Sequence, residues 1–335
     1  MKPSYKNEIV RNYLRRFPNT QTRTIARKIY NENSPEWSNY EACRSMVQDI
    51  RGLKGKTKLK KLANKEFVVP KNSLKNPYNL PDSEARPPKV FHLPSHLDNI
   101  LFISDLHIPF HDIKALTTAL DYGKKQNINC IFINGDLIDF YQISRFTNIE
   151  RKRSVAEEIE ITKQVLTIFN KEFPNVPIYF LKGNHDNRLE HYLANKAPEL
   201  LDVEEFRLKF LLQADRFNME VIDDTTLVKI GKLCVTHGHL LLRGIFAPVN
   251  PARGAFLRAK KSVIIGHTHK YSTHSETDLD GKIITCYSTG CLCELTPSYS
   301  PFANNYSHGF AHVKTQPNGH YSVKNIQLID GVIIN

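Results

Sequence analysis

Five times in the C-terminal two thirds of the chain, an apolar run stops at a glycine or a polar residue. The runs are NILFISDLHIPFH (99–111), INCIFINGDLIDF (128–140), VPIYFLKGNHDNR (176–188), KLCVTHGH (232–239) and VIIGHTHK (263–270). Each is short and rich in β-branched or aromatic residues, which predicts a buried strand feeding a loop. Helical patterns over 113–126, 153–172 and 204–213 fill the gaps, as a βαβ-type sheet requires. After the last run, KIITCYSTGCLCEL and GFAHVKTQPNGHYSVKNIQLIDGVII alternate like antiparallel strands, with Asn318-Gly319 as a hairpin turn.

Ahead of these runs the period changes to that of helices. NEIVRNYLRRF places Ile9, Val10, Tyr13, Leu14 and Phe17 on one face, and Pro18-Asn19-Thr20 then breaks the pattern and offers a cap to the next helix. QTRTIARKIYNEN carries Ile25, Ala26, Ile29 and Tyr30 on one side, with Arg23, Arg27 and Lys28 elsewhere. A third amphipathic segment aligns Tyr40, Cys43, Val47 and Ile50. The Lys-rich stretch 53–65 suits either a solvated linker or an arm that tracks phosphates. Pro70, Pro77, Pro81, Pro87, Pro88 and Pro94 then predict an extended connection. The expected division is a basic all-α domain over 1–62, a Pro/Lys-rich linker over 63–96 and an α/β domain over 97–335.

Charge divides along the same line. Residues 1–98 hold 20 Lys and Arg against 9 Asp and Glu, and the remainder 26 against 25, so nearly all of the net +12 lies upstream. A basic appendage on a neutral domain is an electrostatic footprint for polyanions, nucleic acid first. The three helices resemble a helix-turn-helix module, with Arg23, Arg27 and Lys28 as candidate nucleic-acid contacts. A helical bundle that docks or dimerises fits the same pattern. No apolar run reaches the roughly 18 residues of a membrane span, and the N-terminus lacks the apolar core of a secretory signal. A cytoplasmic protein with reduced cysteines is expected, Cys130 and Cys234 acting as small buried hydrophobes.

The ends of the five strands deliver Asp105, His107, Asp136, Asn184, His237, His267 and His269. In open α/β sheets, functional groups collect at the carboxyl ends of strands. Carboxylates, imidazoles and one amide oxygen suit Mn, Fe, Zn or Mg-type divalent ions and need no thiolate. Two such ions about 3.5–4 Å apart clamp the attacking and leaving sides of an in-line phosphoryl displacement. A carboxylate must lie between two cations that close. On an extended chain the rings of His267 and His269 point to opposite faces and can reach different atoms; in a loop they can converge.

The order of blocks resembles the calcineurin-like metallophosphoesterase superfamily, whose pattern is D-x-H, G-D-x-x-[DN], G-N-H-[DE], H and G-H-x-H. All five blocks are present, as Asp105-x-His107, Gly135-Asp136-x-x-Asp139, Gly183-Asn184-His185-Asp186, His237 and Gly266-His267-x-His269. The resemblance covers roughly residues 98–335. It implies a two-sheet sandwich flanked by helices and a metal-dependent phosphoric ester hydrolase. Two divalent ions are implied, Mn first, with Fe, Zn, Ni or Mg as alternatives. Asp136 would bridge them, Asp105, His107 and His269 would hold one, and Asn184, His237 and His267 the other. A hydroxide bridging the ions would attack in line. His185 would contact the phosphate and protonate the leaving oxygen, oriented by Asp186.

Asp139, His239 and His111 fall beside ligand positions and read as supporting groups or loop residues. Arg243, Arg253 and Arg258, between two blocks, either face a bound phosphate or lie on the surface. A narrower likeness is to phage- and prophage-encoded members with a similar N-terminal helical module.

These readings lead first to a phosphodiesterase acting on nucleic acid, a nuclease. A phosphomonoesterase or a small- or cyclic-nucleotide phosphodiesterase has the same motif. A DNA-binding regulator with a structural metal site is the alternative of another class, and the intact ligand set speaks against it.

Overall fold

The computed structural model describes residues 5–18, 20–62, 65–68, 87–144, 154–244, 249–297 and 304–334. The chain divides into two units, Met1–Ala85 and Arg86–Asn335.

The first unit is built on helices α1 (Tyr5–Arg16), α2 (Thr22–Glu32) and α3 (Tyr40–Ile50), followed by the short α4 (Lys56–Lys61). The apolar faces read from the sequence meet in one core: Val10 and Leu14, Ile25, Ala26 and Ile29, Cys43, Val47 and Ile50, with Trp37 beneath. Asn39 caps α3 by accepting from the Ala42 amide at 2.8 Å. The N-cap of α2 is Gln21, one residue beyond the expected Pro18-Asn19-Thr20, and it makes no side-chain capping bond. Buried Arg51 braces that corner instead, donating to Thr22 Oγ1 at 3.0 Å and the Pro18 carbonyl at 3.3 Å.

The second unit contains two sheets. The larger holds β2 (Asn99–Ile103), β3 (Cys130–Asn134), β4 (Ile178–Leu181) and β5 (Met219–Ile222) as parallel neighbours, and β11 (His308–Thr315), β12 (Tyr321–Ile329) and β13 (Val332–Ile333) as antiparallel ones. The smaller runs β1-β6-β7-β8-β10-β9, comprising Val90–His92, Leu227–Ile230, Leu233–Val235, Val263–Ile265, Ile283–Thr289 and Tyr271–Thr277 in that order. Helices α5 (Ile113–Gln126), α6 (Val155–Glu172), α7 (Arg188–Lys196) and the short α8 (Leu208–Leu211) come from the loops of the larger sheet, and α9 (Pro251–Ala259) from the smaller.

Strand alternation sorts the core into layers. Leu101, Ile103, Ile131, Ile133, Ile178 and Phe180 face α5 and α6. Ile100, Phe102, Phe132 and Leu181 turn the other way, onto Val228, Val235 and Ile264 of the second sheet. The outer face of that sheet packs on α9 through Ala252, Ala255, Val263 and Ile265. The result is a four-layer helix–sheet–sheet–helix sandwich, the architecture expected from the sequence. Phe102 and Phe132 stack at 5.2 Å in its middle, each burial of that kind contributing about 1.5–3 kcal/mol.

Element starts follow the local chemistry. Asp112 caps α5 through the Ala115 amide, and Ser154 and Glu157 form a reciprocal capping box on α6. The β11–β12 hairpin turns at Asn318-Gly319 as expected, with Gly319 at φ 78°. Two expectations are corrected. The segment 204–213 is not one helix but a 3-10 turn (Glu204–Phe206) followed by α8. Phe206 and Phe210 stay exposed, so its apolar residues do not form one buried stripe. Most of the linker predicted over 63–96 lies outside the described residues. Its two described ends are not linker. Phe67 packs on the helical core, Val90–His92 is strand β1, and Leu93 joins the inter-sheet core. A sheet edge recruits extended chain whatever its proline content upstream. Among the described residues no helix is long and apolar enough to cross a membrane, and all six cysteines are buried and free.

Candidate metal centre

Strands β2, β3 and β4 run parallel in one sheet, and β7 and β8 run parallel in the other. Their carboxyl ends therefore bring five loops together. The loops are stitched by backbone bonds: Asp105 to the Gly135 carbonyl, His107 to Asp136 and Gly266 to His237. Side chains join in. The His267 amide donates to Asp105 at 2.9 Å, and the His185 amide to Asp136 Oδ1 at 2.8 Å. Asp105, His107, Asp136, His267 and His269 all have positive φ, between 49° and 65°. A non-glycine backbone in that region costs about 1–3 kcal/mol and persists only where surroundings enforce it. The extended chain expected for GHTH is thus corrected to two left-handed turns. The two rings part company because of those turns, not because of strand alternation.

Six of the seven predicted residues fall into two groups that share one carboxylate. Ligand atoms of Asp105, His107, Asp136 and His269 lie within 4.8 Å of one another, as do those of Asp136, His237 and His267. Within the first group, Nε2 of His107 faces Nε2 of His269 at 3.0 Å, and the latter lies 3.3 Å from Asp105 Oδ1. In the second, the His237 and His267 rings are 5.3 Å apart, and His237 Nε2 is 3.2 Å from Asp136 Oδ2. That nitrogen is buried and makes no hydrogen bond; Asn184 Oδ1 is likewise buried and unpartnered. Buried polar atoms without partners are rare and need a reason. Facing imidazole nitrogens, orphaned oxygen and nitrogen atoms and a shared carboxylate fit divalent cations.

The remaining ring nitrogens show how the ligands are aimed. His107 Nδ1 donates to Asp139 Oδ1 at 2.8 Å, and His237 Nδ1 to the Asn134 carbonyl at 2.7 Å, so Nε2 of each points inward. His239 is tied to Asp224 at 3.0 Å, its ring packed against those of His237 and His267. His111 forms a β-bridge with Cys293. Arg243, Arg253 and Arg258 are exposed, with Arg258 bonded to the Arg243 carbonyl at 2.8 Å. In the helical unit Arg23, Arg27 and Lys28 are exposed, with Lys28 paired to Glu32.

One expected role is corrected. Asp186 does not orient His185. Its carboxylate accepts from the amides of Asp136, Leu137, Ile138 and Gly183, at 2.6–3.2 Å, and so moulds the Gly135-Asp136 turn. Adjacency in sequence misled because the chain turns between the two side chains. Asp139 takes the orienting position: its Oδ1 accepts from Nδ1 of both His185 and His107, each at 2.8 Å. Sequence reasoning missed Arg188, which bonds to Asp139 and His185. It also missed Cys293 and Tyr306 beside His269. Only the three-residue offset of Arg188 from His185, one turn into a helix, was available as a signal.

Burial and charge act against each other throughout. Burial pulls His237 and His269 down, but the Asp136 carboxylate beside one and Asp105 beside the other hold them up at about 10 and about 9. Burial, then the positive His237, draws His267 down to about 4. Burial and the Asp136 charge push Asp186 up to about 7. Asp139 ends below the ordinary carboxylate range, its two histidine bonds outweighing burial.

Two relatives align with about half of the chain. The chain is 34% identical over 185 residues to the Gene 54 protein of Mycobacterium phage L5, covering 53% of this chain and 71% of that protein. It is 33% identical over 184 residues to the Gene 54 protein of Mycobacterium phage D29, with the same coverage. Among solved structures, YfcE, a phosphoesterase from E. coli, matches 71% of this chain and 97% of its own at 17% identity, with a TM-score of 0.36. Vacuolar protein sorting 29 from Cryptosporidium parvum matches 69% and 97% at 15% identity, with a TM-score of 0.34. The model of the calcineurin-like phosphoesterase family matches residues 99–285, which span all five strand-end blocks. The chain belongs to the calcineurin-like phosphoesterase family and is a metal-dependent phosphoric ester hydrolase.

Proposed function

We propose that this chain is a two-metal phosphodiesterase that acts on nucleic acid. The observation that carries the polymer is the charge split: a basic helical unit precedes a nearly neutral hydrolase unit. Exposed Arg23 and Arg27 on α2 are the proposed phosphate contacts, and the three helices the proposed helix-turn-helix module. Asp136 would lie between two divalent ions, with Asp105, His107 and His269 on one side and Asn184, His237 and His267 on the other. Manganese is the first candidate, since the donors are carboxylates, imidazoles and an amide oxygen. Such ions supply a nucleophile at neutral pH and neutralise charge on the phosphate.

The protein's own residues do the rest. Asp139 holds His107 and His185 at fixed orientations. His185 lies beside the ligand Asn184 without joining either metal group, and its place suits contact with the phosphate and proton delivery to the leaving oxygen. Asp186 and the five left-handed residues keep the loops from relaxing.

The double variant Arg23→Glu/Arg27→Glu tests the reading. It should weaken binding to a DNA duplex and flatten its salt dependence, since each lost phosphate contact removes about 0.9 from the slope of log affinity against log salt. Hydrolysis of bis(p-nitrophenyl) phosphate should stay within about twofold of wild type, since the reversed charges are on the other unit. Unchanged DNA affinity would leave the helical unit as a docking or dimerisation bundle.

A further inference from the structure

Arg188 opens α7, three residues after His185, and none of the five blocks includes it. Its side chain is 18% exposed. Nη1 donates to the Asp139 carbonyl at 2.8 Å and lies 3.4 Å from Asp139 Oδ2, while Nη2 sits 3.0 Å from Nε2 of His185. A guanidinium has donors only and keeps its charge in proteins. Nε2 of His185 must therefore be the acceptor. On the other side of the ring, Nδ1 faces Asp139 Oδ1 at 2.8 Å, and a carboxylate only accepts. The ring is held as the Nδ1–H tautomer, with Arg188 covering Nε2.

As a brace for the Asp139 loop, Arg188 is redundant. The Asp139 amide already bonds to the Ile108 carbonyl at 3.0 Å, and Asp186 holds the Ile138 amide. As a helix residue it is misplaced, because the first turn favours negative charge. A neutral lone pair is also a weak partner for a guanidinium. A phosphate oxyanion carries a negative charge of its own and can accept from both arms of the fork in parallel.

We infer that Arg188 is a phosphate-binding residue of this site: an ester's phosphate draws its guanidinium off Nε2 of His185 and so uncovers that ring. Arg188 contacts the substrate's phosphate, and in the free protein it is also a positioning residue that fixes the His185 tautomer. The inference rests on the hydrolase assignment and not on the polymer reading, so it stands if DNA is not the substrate.

Inorganic phosphate is the probe, used on the full chain loaded with Zn²⁺. In the wild type, phosphate should shift the ¹⁵N resonance of His185 Nε2 as the guanidinium leaves it. Arg188→Gln should retain both metals by elemental analysis, show that shifted resonance before phosphate is added, and bind phosphate about 10- to 100-fold more weakly, the loss expected for one charged hydrogen bond. The KM for bis(p-nitrophenyl) phosphate should rise with it. Arg188→Lys should recover part of the affinity, since it keeps the charge without the fork. A wild-type Nε2 resonance indifferent to saturating phosphate would overturn the proposal, and needs no variant to fold. An unchanged phosphate affinity in a metal-replete Arg188→Gln protein would overturn it equally.

Discussion

Asp136 is the residue shared by the two groups of candidate ligand atoms. Its Oδ2 lies 3.2 Å from His237 Nε2 and 3.6 Å from His107 Nε2, while Oδ1 accepts from the His185 amide. An amide in its place keeps the shape and removes the charge that holds two cations near each other. Asp136→Asn should therefore lose at least one ion by elemental analysis. Metal affinity should fall by more than the roughly 10–100-fold lost when only a supporting group is removed, and diester hydrolysis should fall with it. Two retained ions with normal turnover would remove Asp136 from the bridging position.

At the scale of elements, the turn from β4 into α7 shows how little slack the loops have. A Cβ on Gly183 would come within 2.2 Å of Asp136 Oδ1, 2.6 Å of the Asp136 amide and 2.8 Å of His237 Nε2. Neither backbone nor a buried side chain packed among the candidate ligands can yield that distance cheaply. Overpacking of this kind costs about 1–3 kcal/mol, so Gly183→Ala should lower the melting temperature by roughly 2–10 °C and reduce metal content. A useful contrast is Gly281, whose Cβ would meet nothing within 4 Å although its φ is 76°. Gly281→Ala should carry only backbone strain and keep its ions. Calorimetry with elemental analysis on both variants separates the cases, and full metal content in Gly183→Ala would show that the loops can shift after all.

For the whole molecule, folding without ions stores protons in the site. His237 and His269 are raised to about 10 and about 9, against about 6.5 for histidine in an unfolded chain. Between those values the folded chain binds more protons than the unfolded one. Their contribution to the stability of the ion-free protein is therefore fully present below about pH 6.5 and is lost as pH rises through 9 to 10. Asp105 and Asp139, lowered by their histidine partners, contribute in the opposite window: their stabilisation is present above the ordinary value of 3.8 and fades as pH falls below it. Metal binding requires neutral imidazoles. Uptake of divalent ions at pH 7 should expel up to two protons, and affinity should climb with pH until about 9–10. Titration calorimetry in two buffers of different ionisation enthalpy measures that release directly. A heat independent of buffer would mean that both rings are already neutral.

The sequence by itself determined the elements and the donor list. Apolar runs of strand period that end in Gly, Asp, Asn or His mark β2, β3, β4, β7 and β8, because a buried strand must be apolar on both faces and its end is the first place a polar group can meet solvent or an ion. Helical stripes did the same for α1, α2 and α3, since burial of a single face has to stabilise each helix. What the tertiary structure decided is how the side chains share the work. Whether His267 and His269 serve one group or two depends on left-handed turns that non-glycine residues adopt only under enforcement from neighbouring loops. Asp186 moulds the Gly135-Asp136 turn, and Asp139, expected as a supporting group, orients His185 as well as His107, because partners across the β3 and β4 loops outrank neighbours along the chain. Arg188 was invisible for the same reason: an arginine at the start of a helix looks like surface charge until folding sets the Asp139 carbonyl and His185 Nε2 within 3 Å of it. Local pattern reports which residues are buried and where strands end; hydrogen bonds between loops far apart in sequence settle which donor faces which acceptor.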